Sequence, residues 1–181
     1  MKSLLSLLLI AAALLLQGCT TSMSKGADRR TEGTYIDDGY IEDTATSRIK
    51  SKYADKVHIN INSYNRKVLI TGEVADENVK TDITRIVGGV QTVMGINNEL
   101  VVGPQASLSS RSGDALITSN INLRLRDSGK DLQTERVEVI TENGVVYLLG
   151  LVTRKEGGIA TDVASTSRSV KKVVPLFEYI D

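Results

Sequence analysis

Hydrophobic and polar positions divide the chain into three stretches. After the charged start Met1-Lys2-Ser3, the run Leu4 to Leu16 is apolar almost throughout (LLSLLLIAAALLL). Thirteen helical residues reach only about 20 Å, short of a bilayer core of roughly 30 Å, so this run predicts a cleaved signal peptide. From Thr20 to about Gly39 no apolar period is visible, and Gly, Ser, Thr and Asp dominate. Such a stretch predicts a flexible tether. Beyond it, apolar positions recur with the periods of packed helices and strands.

The third stretch is written twice. Ile41, Ala45, Ile49 and Tyr53 recur every four positions and predict an amphipathic helix. Val57/Ile59/Ile61 and Val68/Ile70 alternate, predicting two half-buried strands joined by a hairpin turn at Tyr64-Asn65-Arg66-Lys67. Val79, Ile83, Ile86, Val87 and Val90 predict a second helix, and Val93-x-x-Ile96-x-Asn98-x-Leu100-x-Val102 a third strand. The strand pair returns as Val137-Glu-Val-Ile-Thr141 and Val146-Tyr-Leu-Leu-Gly-Leu-Val152, with Gly72 matched to Gly150. Its turn, Glu142-Asn143-Gly144-Val145, carries the Asn-Gly that suits a type I′ hairpin. Ile159, Val163 and Ala164 match the second helix, and Val170-x-x-Val173-x-Pro175-x-Phe177-x-Tyr179 the last strand.

These periods predict an α+β chain of two tandem αββαβ domains, each a three-stranded mixed sheet with two helices on one face. The expected boundaries are a signal peptide over residues 1–18, a tether over 19–39, a first domain over 40–103, a Gly/Ser-rich linker over 104–113 and a second domain over 114–181. Units this small bury little surface, so the two are expected to pack on each other or to be marginal alone.

Composition narrows the function. Lys and Arg number 22, Asp and Glu 22, and each unit is balanced by itself, so no bulk electrostatic attraction to nucleic acid is expected. One Cys and one His exclude a disulfide framework and a multi-Cys zinc site, and they leave no nucleophile–base pair. His58, between Val57 and Ile59, is expected to face solvent without a partner. Asp37-Asp38 falls in expected tether or turn. No enzyme activity, metal or diffusible cofactor is predicted.

The single Cys stands at Leu16-Gln17-Gly18-Cys19, which resembles a bacterial lipobox. That resemblance implies that Cys19 becomes the mature N-terminus, carrying an S-diacylglyceryl thioether and an N-linked acyl chain, here an anchor and not a cofactor. Thr20 after it resembles the outer-membrane sorting signal of Gram-negative lipoproteins. The duplicated V-x-[LI]-x-G-x-V strand and the later V-x-x-V-x-N-x-L-x-V strand resemble the BON domain. Lipobox, tether and two such domains together resemble dual-BON outer-membrane lipoproteins. For that family the resemblance implies a non-enzymatic protein facing the periplasm that supports envelope integrity. Some members bind anionic phospholipid through the first helix of the second domain and gather at division sites. The chain departs from the pattern at Pro175, which implies an edge strand. It also carries Leu116 where members can place an aromatic.

The same helix stands out on its own residues. Ile117, Ile121 and Leu125 form its core stripe, and Leu116 and Leu123 lie about 140–160° away from the centre of that stripe. Asn120 lies between the two leucines, with Arg124 on one side and Arg126 on the other. This face could enter lipid headgroups, with Leu116, Asn120, Leu123, Arg124 and Arg126 as contacts on an anionic phospholipid surface. It could equally pack against the first domain, or bind a protein of the outer-membrane assembly or division machinery.

Overall fold

The computed structural model describes residues 28–128 and 132–181. Cys19, the signal stretch and residues 20–27 of the expected tether lie outside these. The first unit runs α1 (Glu32–Tyr53), β1 (His58–Tyr64), β2 (Lys67–Val74), α2 (Glu77–Gly88), β3 (Gly95–Asn98) and β4 (Val101–Val102). The second runs α3 (Leu108–Asp127), β5 (Val137–Glu142), β6 (Val145–Val152), α4 (Arg154–Ser165) and β7 (Lys172–Tyr179). Among the described residues no helix is long and apolar enough to cross a membrane.

Both helices that open the units begin earlier than their apolar stripes. α1 starts at Glu32, inside the expected tether, and α3 at Leu108, inside the expected linker. The Ser and Thr that suggested loop act as caps: Thr31 accepts from the Thr34 amide and Ser107 from the Ser110 amide, each at 3.1 Å. The inward side of the first turns is polar, with Thr34 and Asp38 buried on α1 and Asp114 on α3. These aspartates face a hairpin turn instead of the apolar core.

Asp38 accepts from the amides of Asn65 and Arg66 at 2.9 and 2.7 Å, and from the Ser63 hydroxyl at 2.8 Å. Asp114, seventy-six positions on, accepts from the amides of Asn143 and Gly144 at 2.9 and 2.8 Å. Both turns are two-residue loops with positive φ at both central residues, 52° and 64° in the first and 52° and 78° in the second. That is the type I′ geometry whose twist matches the flanking strands. Each buried carboxylate thereby ties a hairpin to the helix lying over it.

In each sheet the second strand is central, antiparallel to the first and parallel to the third. β7 is an edge strand, as Pro175 implied, so the amide that proline lacks is not missed there. The third strand of the first unit is broken in two. Asn98 Oδ1 accepts from the Leu100 amide at 3.0 Å, and Leu100 dives into the core, so β3 and β4 separately pair with β2. The matched glycines have a steric cause: a Cβ on Gly72 would lie 2.0 Å from the His58 carbonyl oxygen, and one on Gly150 2.3 Å from that of Arg136.

Three apolar clusters result. Ile41, Ala45, Ile49, Ile83 and Val87 cover Val68, Ile70 and Val74 in the first unit. Ile117, Ile121, Leu125, Ala160 and Ala164 cover Val146, Leu148 and Val152 in the second. Between the units, Tyr64 and Leu69 meet Tyr147 and Leu149, so the two sheets join by the faces turned away from their helices. This explains why β2 and β6 are buried on both sides and read as near-continuous apolar runs.

Polar contacts frame this interface. Asn60 donates to Glu142 at 2.8 Å, Asn65 to Glu178 at 2.8 Å, and Lys67 pairs with Glu178 at 2.7 Å. Residues just before α1 take part as well. Arg29 donates to Glu156 at 2.7 and 3.0 Å and to the Leu151 carbonyl at 2.9 Å. Arg30 pairs with Asp38 at 3.0 Å and lies 4.0 Å above the Tyr64 ring centre. The segment expected to be tether therefore fastens one unit to the other from Arg29 onward.

Candidate membrane-binding face

α3 presents its stripe inward, with Ile121 and Leu125 fully buried and Ile117 nearly so. Its other side is open: Leu116 is 72% exposed and Leu123 58%. Packing of these leucines on the first unit, one of the expected alternatives, is therefore not what the fold does; that contact is made by the sheets. Asn120 and Arg126 are exposed on the same side. The earlier helix start adds Leu108, 79% exposed, which sequence reading missed because it fell in expected linker. By helical position Leu108 lies near Arg126, while Asp127 lies close to the two central leucines.

Arg124 differs from its expected role. Its guanidinium donates to the Val163 carbonyl at 2.8 Å, to the Thr166 hydroxyl at 2.9 Å and to the Ser167 hydroxyl, closing the end of α4. Arg48 does the same in the first unit, donating to the Gly89 carbonyl at 2.8 Å beyond α2. The seventy-six-residue match between these arginines was the overlooked signal. The acceptors are neutral, so Arg124 keeps its positive charge near the leucine face but spends its hydrogen-bonding fork on the fold.

The equivalent side of α1 places Thr44, Arg48 and Lys52 off its stripe, with no leucines matching those of α3, yet it is not free of apolar residues. It exposes Ile36 at 64% and Tyr40 at 47%, with Tyr35 at 52% on its flank. Tyr35 and Ile36 were hidden in the expected tether, and Tyr40 stood at the first position of the expected first domain. Glu32 and Asp43 share that side with the exposed Lys50, the counterpart of Arg126, so α1 carries acids beside its apolar residues that α3 lacks at the matching positions.

Two acids at the domain interface, Glu138 partly buried and Glu156 buried, titrate in opposite senses. Burial, reinforced by the neighbouring Glu42 carboxylate, pushes Glu138 up to about 7. Burial also pushes Glu156 upward, but hydrogen bonds from Arg29, the Thr153 amide and Arg136 outweigh it and hold Glu156 down to about 2.

Two copies of one αββαβ unit, joined sheet to sheet and opened by unlike helices, define a duplicated α+β domain architecture. A family model for the BON domain matches residues 37–104 and again 113–181. The outer-membrane lipoprotein DolP of Haemophilus influenzae is 35% identical over 184 residues, covering 96% of this chain and 95% of its own. A 21 kDa hemolysin of Actinobacillus pleuropneumoniae is 30% identical, covering 87% of this chain and 81% of its own. Among solved structures, the C-terminal domain of CdsD, a structural protein of the Chlamydia trachomatis Type III secretion system, aligns with a TM-score of 0.33 at 11% identity. That alignment covers 79% of this chain and 96% of that one, a likeness too distant to bear on function. The chain belongs to the BON-domain family as a dual-domain outer-membrane lipoprotein with a role in the envelope.

Proposed function

We propose that the second BON domain binds anionic phospholipid at the periplasmic surface of the outer membrane, and that this contact supports envelope integrity. The carrying observation is the outward side of α3, where Leu108, Leu116 and Leu123 are exposed together on one helix. Leucines at that spacing enter the acyl boundary, each contributing up to about 1.5–3 kcal/mol when fully buried. Arg126 supplies hydrogen bonds to phosphate, while Arg124 and Arg126 supply positive potential that favours anionic headgroups. Asp127 opposes this, so the contact is weak by itself and salt-sensitive.

Attachment then takes two signals. Acyl chains on Cys19 hold the protein at the leaflet, and the helix face adds contact at high effective concentration. Co-sedimentation of a non-acylated Cys19→Ser chain with vesicles tests this. The expected result is binding to anionic vesicles, little to neutral ones, and loss of most of it in Leu123→Glu with thermal stability unchanged. Absence of binding to either vesicle, together with a crosslinked envelope protein recovered through α3, would make the face a protein-docking surface instead.

A further inference from the structure

Three residues far apart in the chain converge where the two units meet. His58 opens β1, Glu73 lies near the end of β2, and Glu142 ends β5 in the other domain. One donor atom from each lies within 4.8 Å of the others. Contrary to the expectation of a free, outward His58, its Nδ1 donates to Glu73 Oε2 at 2.9 Å, and only 17% of its side chain is exposed. Glu73 and Glu142 are buried, at 3% and 7% exposure.

Neighbouring groups hold both carboxylates in place. Asn143 and the Ala106 amide donate to Glu73, and Asn60 donates to Glu142 Oε2 at 2.8 Å, with the Thr71 hydroxyl at 3.4 Å on the same oxygen. A solvent-open cavity of about 460 Å³ has His58, Asn60, Asp114 and Glu142 in its wall and gives an entry path. Charge in this pocket is unbalanced. Glu73, Glu142 and Asp114 bring three carboxylates, while the cavity wall contributes one fixed cation, Arg111.

We infer that His58, Glu73 and Glu142 form a divalent-metal site, suited to zinc, that bridges the two BON domains. One imidazole nitrogen and two carboxylate oxygens match the ligand types of zinc, whereas magnesium favours oxygen alone and calcium requires six or more oxygens. Tetrahedral ligands at bonds of about 2.0–2.2 Å sit roughly 3.3 Å apart, so closing the present set takes side-chain shifts of about 1 Å. Water from the cavity fills the fourth position. The Asn60 and Asn143 amides then serve as the outer groups that orient ligating carboxylates. Bound metal ties β1 and β2 of one unit to β5 of the other.

The test uses untagged, mature full-length protein in detergent micelles, titrated with Zn²⁺ against a chromophoric competitor and separately with Mg²⁺. One Zn²⁺ per chain, a raised Tm and no response to Mg²⁺ are expected. Glu142→Gln and His58→Asn should each weaken Zn²⁺ binding at least about tenfold while their Tm in EDTA stays near that of the parent. His58 is the chain's one histidine, so its imidazole NMR signals are unique and should shift at one equivalent of Zn²⁺. This arm reads the parent protein and stands even where a variant misfolds. Failure to bind a stoichiometric Zn²⁺, imidazole signals that stay put, or undiminished affinity in two folded variants would overturn the site.

Discussion

α1 and α3 open the two domains and agree wherever they face inward. Asp38 matches Asp114, Ile41 matches Ile117, Ala45 matches Ile121, Ile49 matches Leu125, and both helices place an arginine across the end of the next helix. Their outward sides diverge. α1 shows Ile36 and Tyr40 among Glu32, Asp43 and Lys50, and α3 shows Leu108, Leu116 and Leu123 beside arginines. Duplication has kept the residues whose loss would leave a cavity or an unpaired buried group, and left the solvent side to vary. In a duplicated fold, positions that break the internal match are therefore where function is to be sought.

The comparison is broken most severely at its shared aspartates. Asp114→Ala leaves two hairpin amides without an acceptor and should cost about 3 kcal/mol in urea unfolding. Asp38→Ala should cost more, because Asp38 also holds Ser63 and Arg30. Equal losses would mean that Ser63 and Arg30 add nothing to the role of Asp38, and negligible losses that neither carboxylate is a strut. On the outward sides, Leu123→Glu should lower affinity for anionic vesicles by about tenfold or more. Tyr40→Glu on α1 should change it less than about twofold, since Glu32 and Asp43 already set negative charge against headgroups there. A larger effect from Tyr40 would reverse the assignment of the lipid-facing helix.

Smaller effects come from pH. Glu138 is raised in the folded state to about 7, so the native protein holds its proton more tightly than the unfolded chain. Its contribution is complete below the ordinary carboxylate value and is lost as pH rises through about 7. Glu138→Gln should flatten that part of the stability profile. Glu156 works in the opposite sense: its contribution is present above the ordinary value and is lost as pH falls towards about 2. Denaturant midpoints measured from pH 3 to pH 8 check both signs. Least of all, Arg48→Lys and Arg124→Lys should each cost about 1 kcal/mol, because Lys keeps the charge but loses the fork. Vesicle binding should then change little for Arg124→Lys and not at all for Arg48→Lys.

The fold was legible in the sequence because each domain repeats its apolar periods, and two copies disclosed the matched strands, turns and glycines. The first two turns of α1 and α3 were not legible, since their inward positions are Thr34, Asp38 and Asp114, which carry no apolar period. Reading the aspartates as the next step back along each stripe, three residues before Ile41 and Ile117, would have extended both helices. Leu116 and Leu123 could be placed outward by angle alone. The engagement of Arg124 left a trace only in its match to Arg48, because its acceptors lie about forty residues away on another helix. The meeting of His58, Glu73 and Glu142 depends on how two sheets stack, which no local period records.

Folding of the chain from Asp28 onward has a consequence for where the protein can act. Only nine peptide units separate Cys19 from Asp28, and nine residues fully extended span at most about 32 Å. Arg29 and Arg30 are bonded to both domains, so no further slack can be drawn from the fold without breaking those bonds. With acyl chains on Cys19, Asp28 and the fold that starts there begin within about 32 Å of the leaflet. A short lead of this kind keeps the first ordered residues close to the leaflet that holds Cys19, where a weak helix face needs little affinity of its own.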